Sequence, residues 1–278
     1  MSRRTEKPFW DPDKLQAQFN TASLGKRLIV FNRLTSTNDF LKRLARRGAE
    51  AGTLVLADQQ TAGRGRLGRS WQSPPGVGLW LSFILRPELS FEIVGALPLA
   101  ISAVVAETLS AFCGEAFSVK WPNDILANNR KVCGILCETQ ISPAGDFANG
   151  SNQLDYVVAG IGINVNQRSS DFSSDWRRRA ASLAMVAGHP LDRQNVLVTL
   201  VQHLDKALLV NLPQTMPALL SHWRALCPEL GKPIILQQSQ TASTGIFDDI
   251  GDGGELILRL ADGQRKAYSA GEVSLGKK

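Results

Sequence analysis

The stretch "TAGRGRLGRSW", residues 61–71, sets three glycines and three arginines within seven positions, 63–69. Glycine lets backbone N–H groups come close to a phosphate, and arginine adds a planar, permanently charged fork for its oxygens. Those residue types suit the handling of a phosphate or another anion. The spacing excludes two familiar phosphate loops, since the Walker pattern needs Gly-Lys-Ser/Thr and the dinucleotide fingerprint needs a helix directly after its glycines. Here the strand-like "GLWLSFILRP" follows. Taken alone, such a basic loop fits a solvated surface or an RNA contact equally well.

Two other segments offer chemistry. "KWPND", residues 120–124, is followed by Lys131 and by "GILCE", 134–138. Proline at a strand end forces a turn and leaves Asn123 and Asp124 at an edge, where ligands commonly bind. In "GIGINVN", 160–166, two glycines inside an apolar run mark the close approach of a backbone or ligand, or else tight core packing, and Asn164 offers a carboxamide for a base edge. The histidines, His189, His203 and His222, stand outside all of these segments. A side-chain nucleophile or metal cluster built on histidine is therefore not expected. Cys133 and Cys137 have no second Cys/His pair at a matching distance, so no metal site is expected and strand packing is the better reading.

The frame for these segments is legible in the hydrophobic pattern. "RLIVFNRL" reads as a strand, and "STNDFLKRLARRGAE" as an amphipathic helix capped by Ser36 or Thr37 and ended near Gly48. "TLVLADQQ" and "GLWLSFILRP" are strands on either side of the glycine-arginine loop. A buried helix is expected at 96–112, strands near "FSVKWP", "KVCGILCET" and "DYVVAGIGINV", and helices near 192–211 and 214–226. From about Cys227 the texture changes to short alternating runs broken by Asp252-Gly253-Gly254 and Asp262-Gly263, as in a small all-β barrel. The expected organisation is an N-terminal extension at 1–27, an α+β domain at 28–228 and a β-barrel at 229–278.

Composition agrees with a chain that folds without disulfide staples. The chain has 278 residues, 44% of them hydrophobic, enough for a sizeable core. A net charge of +6 permits anionic partners but is too dilute for a dedicated nucleic-acid binder. Four cysteines fall short of a secreted disulfide scaffold and fit a reducing cytoplasm. The longest nearly apolar run, 93–106, is too short to span a bilayer. No signal peptide is expected, because no apolar stretch follows the N-terminal arginines.

In order, "STN" at 36–38, "QQTAGRGRLGRSW" at 59–71, "KWPND" with Lys131 and "GILCE", "GIGINVN", and "GEVSLG" at 271–276 resemble the biotin protein ligases from about residue 28 onward. The resemblance implies a central mixed sheet related to class II aminoacyl-tRNA synthetases and lipoate ligases, followed by an SH3-like barrel. It implies ATP and biotin as substrates, Mg²⁺ with the ATP, and a biotin carboxyl carrier domain as acceptor. Homodimers occur in the family, and neither a nucleic acid nor a membrane is an expected partner. By position, Ser36, Thr37, Asn38 and Gln60 would hold the biotin head. Gly63, Gly65 and Gly134 would pass close to biotin, and Arg64 and Arg66 would lie near its carboxylate and the adenylate phosphate. Lys131 would contact both reacting groups. Arg69, Trp71, Lys120, Asn123, Asp124, Asn164 and Trp176 would serve the nucleotide, with Asn123 and Asn164 on the adenine edge and Trp176 closing over it. A lipoate-activating ligase or octanoyl transferase would lack the joint "GRGRLGR" and "KWPND" segments. Some family members carry a DNA-binding winged helix, for which the 27 residues before Leu28 leave no room.

Overall fold

The structure is a computed structural model that describes residues 10–141, 154–209, 212–238 and 241–275. Helix α1 (Pro12–Gln18), not foreseen from the sequence, is short; Asp11 caps it by accepting the Lys14 N–H, and it buries Leu15. Strand β1 (Leu28–Leu34) leads into α2 (Thr37–Ala45), whose N-cap is Ser36 and whose buried residues include Leu41 and Ala45. Strands β2 (Leu54–Gln60) and β3 (Gly78–Leu85) flank the glycine-arginine segment as expected. After the single turn α3 (Phe91–Val94) comes α4 (Leu97–Cys113), apolar on nearly every face and ended by Gly114 at φ 65°. A helix buried all round has to be apolar all round.

Strands β4 (Ser118–Lys120), β5 (Asp124–Ala127), β6 (Arg130–Ile141) and β7 (Leu154–Asn164) complete the main sheet. Its order is β1-β2-β3-β7-β6-β5-β4, with β1 and β2 parallel and the other pairs antiparallel. The sheet is therefore mixed, as the resemblance implied. Helices α5 (Leu183–Ala187), α6 (Arg193–Leu204) and α7 (Leu212–Leu226) follow. Side chains such as Leu79, Leu81 and Phe83 face a core shared with α4, α6 and α7, whereas Val55, Ile84, Tyr156 and Val158 face α2 on the other side. Each fully buried Leu or Val in that core contributes roughly 1.5–3 kcal/mol before conformational entropy is counted.

The helix expected over 192–211 departs from regular α-geometry after Leu204, where residues 205–209 form a wider turn. Asp205 explains the departure. Its carboxylate is buried and accepts the N–H groups of Ala22, Ser23 and Leu24 at 2.7, 2.9 and 2.6 Å, which pins the segment between α1 and β1 to this point.

The C-terminal strands β8 (Pro233–Gln237), β9 (Ala242–Ile250), β10 (Leu256–Arg259), β11 (Arg265–Tyr268) and β12 (Glu272–Leu275) form a five-stranded antiparallel sheet in the order β11-β10-β9-β8-β12. This is the SH3-like unit. It is fastened to the larger one by Trp121 Nε1 donating to the Gly254 carbonyl (2.9 Å) and by Arg224 paired with Asp249 (2.7 Å).

Candidate functional site

Three glycines make the floor. Gly134 on β6 lies opposite Gly162 on β7, and Gly160 lies opposite Leu136 on one side and Ser82 on the other. A Cβ at Gly162 would come within 2.6 Å of Trp71 Nε1, one at Gly134 within 3.0 Å of the same indole, and one at Gly160 would collide with the Asn38 carboxamide. The close approach that these glycines foretold is therefore made by two side chains, Asn38 from α2 and Trp71 from the glycine-arginine segment.

The N-terminus of α2 makes one wall. Ser36, Thr37 and Asn38 are all buried. Gln60 Oε1 accepts from the Thr37 N–H (2.8 Å) and hydroxyl (3.1 Å), while Ser82 Oγ lies 2.6 Å from Thr37 Oγ1 and donates to Asn38 Oδ1. Asn38 Nδ2 in turn donates to the Leu136 carbonyl and to Glu138. Ser82 completes this network and sequence reading missed it, because one serine inside an apolar strand carries no local signal.

The glycine-arginine segment folds back as a hairpin flap. Trp71 N–H bonds Gly63 O at 2.8 Å, Gly65 N–H bonds Arg69 O at 2.7 Å, and Gln60 N–H bonds Ser73 O at 3.2 Å. At the tip Leu67 has φ 55° and is 71% exposed. The three arginines part company. Arg64 contacts Asp39 and Glu138, the same two carboxylates that hold Lys42. Arg66 lies over the Trp121 ring, where burial lowers its pKa and the charges of Asp124 and Glu272 work the other way. Arg69 pairs with Glu272 of β12. That hydrogen bond is the main reason the Glu272 carboxyl is held below its usual range, with smaller contributions from Lys120 and Lys131.

Lys131 stands at the polar end. Its Nζ is 2.6 Å from Asp124 Oδ1 and 5.2 Å from the centroid of the Trp71 ring. Its backbone is stapled on both sides to the segment after Trp176, through Lys131 N–H to Arg179 O (2.7 Å) and Ala181 N–H to Lys131 O (2.9 Å). Trp176 itself sits on an exposed turn. Asn123 and Asn164 donate their amides to backbone carbonyls, Ile135 at 2.6 Å and Ala181 at 3.1 Å, so both organise the chain around Lys131. Lys120 lies opposite Asp124 in the β4–β5 pair. Among the described residues no group of three or more His, Cys, Asp or Glu is placed to hold a metal ion, and no helix is long and apolar enough to cross a membrane.

A glycine floor, a hydroxyl- and amide-lined wall and a cation-rich end thus lie together beneath a flap on the main sheet. Residues 30–164 match the Biotin/lipoate A/B protein ligase family, and residues 230–276 match the biotin protein ligase C-terminal domain. The chain is 34% identical to the bifunctional ligase/repressor BirA of Bacillus spizizenii over 92% of its own length and 76% of that protein's. It is 32% identical to a biotin–[acetyl-CoA-carboxylase] ligase of Paracoccus denitrificans, covering 98% of it. The solved biotin protein ligase of Aquifex aeolicus in complex with biotin and ATP superposes with a TM-score of 0.73 at 31% identity, over 91% of this chain and all of that one. The chain belongs to the biotin/lipoate ligase family, and within it to the biotin protein ligases.

Proposed function

We infer that the chain joins biotin to ATP as biotinyl-5′-AMP and then passes biotin to a lysine of a biotin carboxyl carrier domain. In the first step a biotin carboxylate oxygen bonds to the α-phosphorus and pyrophosphate leaves. In the second the acceptor amine bonds to the acyl carbon and AMP leaves, so biotin ends as an amide. The observation that carries this reading is the gathering of Lys131, Arg66 and Arg69 around Asp124 and Glu272 beside the glycine floor. Two anions have to approach each other there, and unit charges 3.5 Å apart repel by roughly 5 kcal/mol at an effective dielectric of about 20. Such chemistry is catalysed by positioning and charge stabilisation, which needs cations rather than a side-chain nucleophile.

The roles follow the layout. Ser36, Thr37, Asn38 and Gln60 face the biotin head, supported by their mutual hydrogen bonds. Gly63, Gly65 and Gly134 admit the ligand closely, Trp71 separates the biotin and nucleotide ends, and Lys131 with Arg66 serves the carboxylate and α-phosphate. Arg69 and Lys120 serve the outer phosphates, Asn123 and Asn164 frame the adenine side, and Trp176 covers it. Arg64 acts on the ligand mainly by setting the neck of the flap, given its carboxylate partners. Mg²⁺ arrives as part of the ATP substrate, held by phosphates and water, with Asp124 as the neighbouring carboxylate. The reaction is assigned to the cytoplasm, and self-association to a homodimer is tested by sedimentation. The decisive experiment is mass spectrometry of a carrier domain after incubation with the chain, biotin and Mg·ATP. A biotin-sized increment on one lysine is expected; an unmodified acceptor would overturn the reading.

A further inference from the structure

The hydrogen bonds of the flap continue below it. Beneath the Gln60–Ser73 contact, the Gly76 N–H donates to both oxygens of Asp58, at 3.1 and 3.2 Å. Beneath that, Arg193, the first residue of α6, donates one nitrogen to Asp58 Oδ1 at 3.0 Å and to the Gly78 carbonyl at 2.9 Å. Asp58 belongs to the strand that enters the flap, Gly76 to the turn that precedes the strand leaving it, and Gly78 to the start of that strand. One buried ion pair therefore clasps both stems. Its side chains are 6% and 10% exposed, and the Trp10 ring closes it off, centred 5.0 Å from the guanidinium carbon of Arg193.

A buried ion pair is weak evidence for stability, because apolar residues of similar volume often serve as well. What this pair fixes is direction and register at the foot of a glycine-rich hairpin that would otherwise be free to pivot. Two residues above Asp58 stands Gln60, which organises the wall at Thr37, and on the returning stem stands Trp71, which fills the glycine floor.

We propose that Arg193 and Asp58, covered by Trp10, are positioning residues that anchor the flap, and that residues ahead of β1 thereby contribute to how biotin and its adenylate are held. The proposal rests on the reading of the flap as the cover over those ligands. The test uses the full chain and two readouts: trypsin cleavage after Arg64, Arg66 and Arg69 without ligand, and free biotinyl-AMP released per biotin transferred. Arg193→Met alone strands a buried carboxylate and lowers the melting temperature. The pair Asp58→Asn with Arg193→Met removes that charge and restores most of it. If the pair positions the flap, the double variant is still cut there roughly tenfold faster than the parent, because cleavage follows the population of the open form, and it releases more free adenylate. Arg193→Lys, which keeps the charge, recovers most of the parental behaviour. Trp10→Leu, which leaves the pair in place, gives a smaller increase in the same direction. A double variant that melts like the parent and is cut at the parental rate overturns the proposal, as does Trp10→Leu with no change in cleavage should the double variant melt early. The cleavage readout needs no catalysis, so a parent that makes no biotinyl-AMP would refute the functional reading and leave the flap result to stand by itself.

Discussion

Replacing Lys131 by Met removes the one ammonium that stands against Asp124 at 2.6 Å and over the Trp71 ring. On the proposed function that ammonium would face the biotin carboxylate and the α-phosphate as they close. A cation at about 3.5–4 Å from the developing charge supplies roughly 4–5 kcal/mol at an effective dielectric near 20. The free enzyme already uses the ammonium on Asp124, and both side chains are partly solvated at 18% and 26% exposure, so exchanging that partner returns only about 1 kcal/mol. The net loss is about 3–4 kcal/mol, or roughly 10²–10³ in the rate of adenylation, the size found when one transition-state donor is removed from other enzymes. Asp124 left unpaired adds repulsion, so Asp124→Asn on top of Lys131→Met should recover part of the loss. Pyrophosphate release in single turnover measures the step, with biotin binding measured separately by calorimetry to show that the groove survives. Adenylation within threefold of the parent would refute the assignment of Lys131 to the reacting centre.

Gly162→Ala puts a methyl 2.6 Å from Trp71 Nε1, so the indole has to leave the floor; biotin affinity should fall at least tenfold with little change in melting temperature, and unchanged affinity would remove Trp71 from the site. The hydrogen bond from Arg69 holds Glu272 below the usual glutamate range, so the tether is fully present above that range and is lost as pH falls through the depressed value. Flap amides 65–69 should therefore exchange more slowly in the parent than in Glu272→Gln at neutral pH, and the difference should shrink as pH falls through the depressed value. Equal exchange in the two at neutral pH would show that another contact holds the flap. Burial pushes the Cys137 and Cys227 thiols up to about 12, and Cys133 higher still, so at pH 8 alkylation of these three in the native chain should run about a thousandfold slower than for a free cysteine. Peptide mapping after iodoacetamide reports it, and rapid labelling of Cys133 would mean that β6 opens.

The parts of the site that sequence reading reached are those whose signal is local. "STN" announces a cap, and Ser36 caps α2; "GRGRLGR" announces a basic loop, and it is one; "KWPND" announces a turn, and β4 and β5 meet there. The four-residue β5 was missed because so short a run shows too little alternation, and α1 because a seven-residue helix barely outlasts its own caps. The partners of the charges were out of reach. Arg64 finds Glu138 74 residues away, and Arg193 finds Asp58 135 away, and no periodicity encodes such meetings. Nor does residue type separate Arg64 from Arg66: the two differ only in which carboxylates the fold brings to them. The break in the 192–211 helix has the same origin, since the demand on Asp205 comes from Ala22 to Leu24.

Glu272 follows Arg69 by 203 residues, and that interval is also a time. At about 5–20 residues per second, ribosomal synthesis spends roughly 10–40 s between the two. For that period a nascent chain can carry its glycine floor, its capped helix and its flap arginines, yet have nothing for Arg69 to grip. A nascent chain halted before β12 would thus lack the partner that Arg69 meets in the finished fold. The last described strand thereby reaches back to a flap encoded near the start of the sequence.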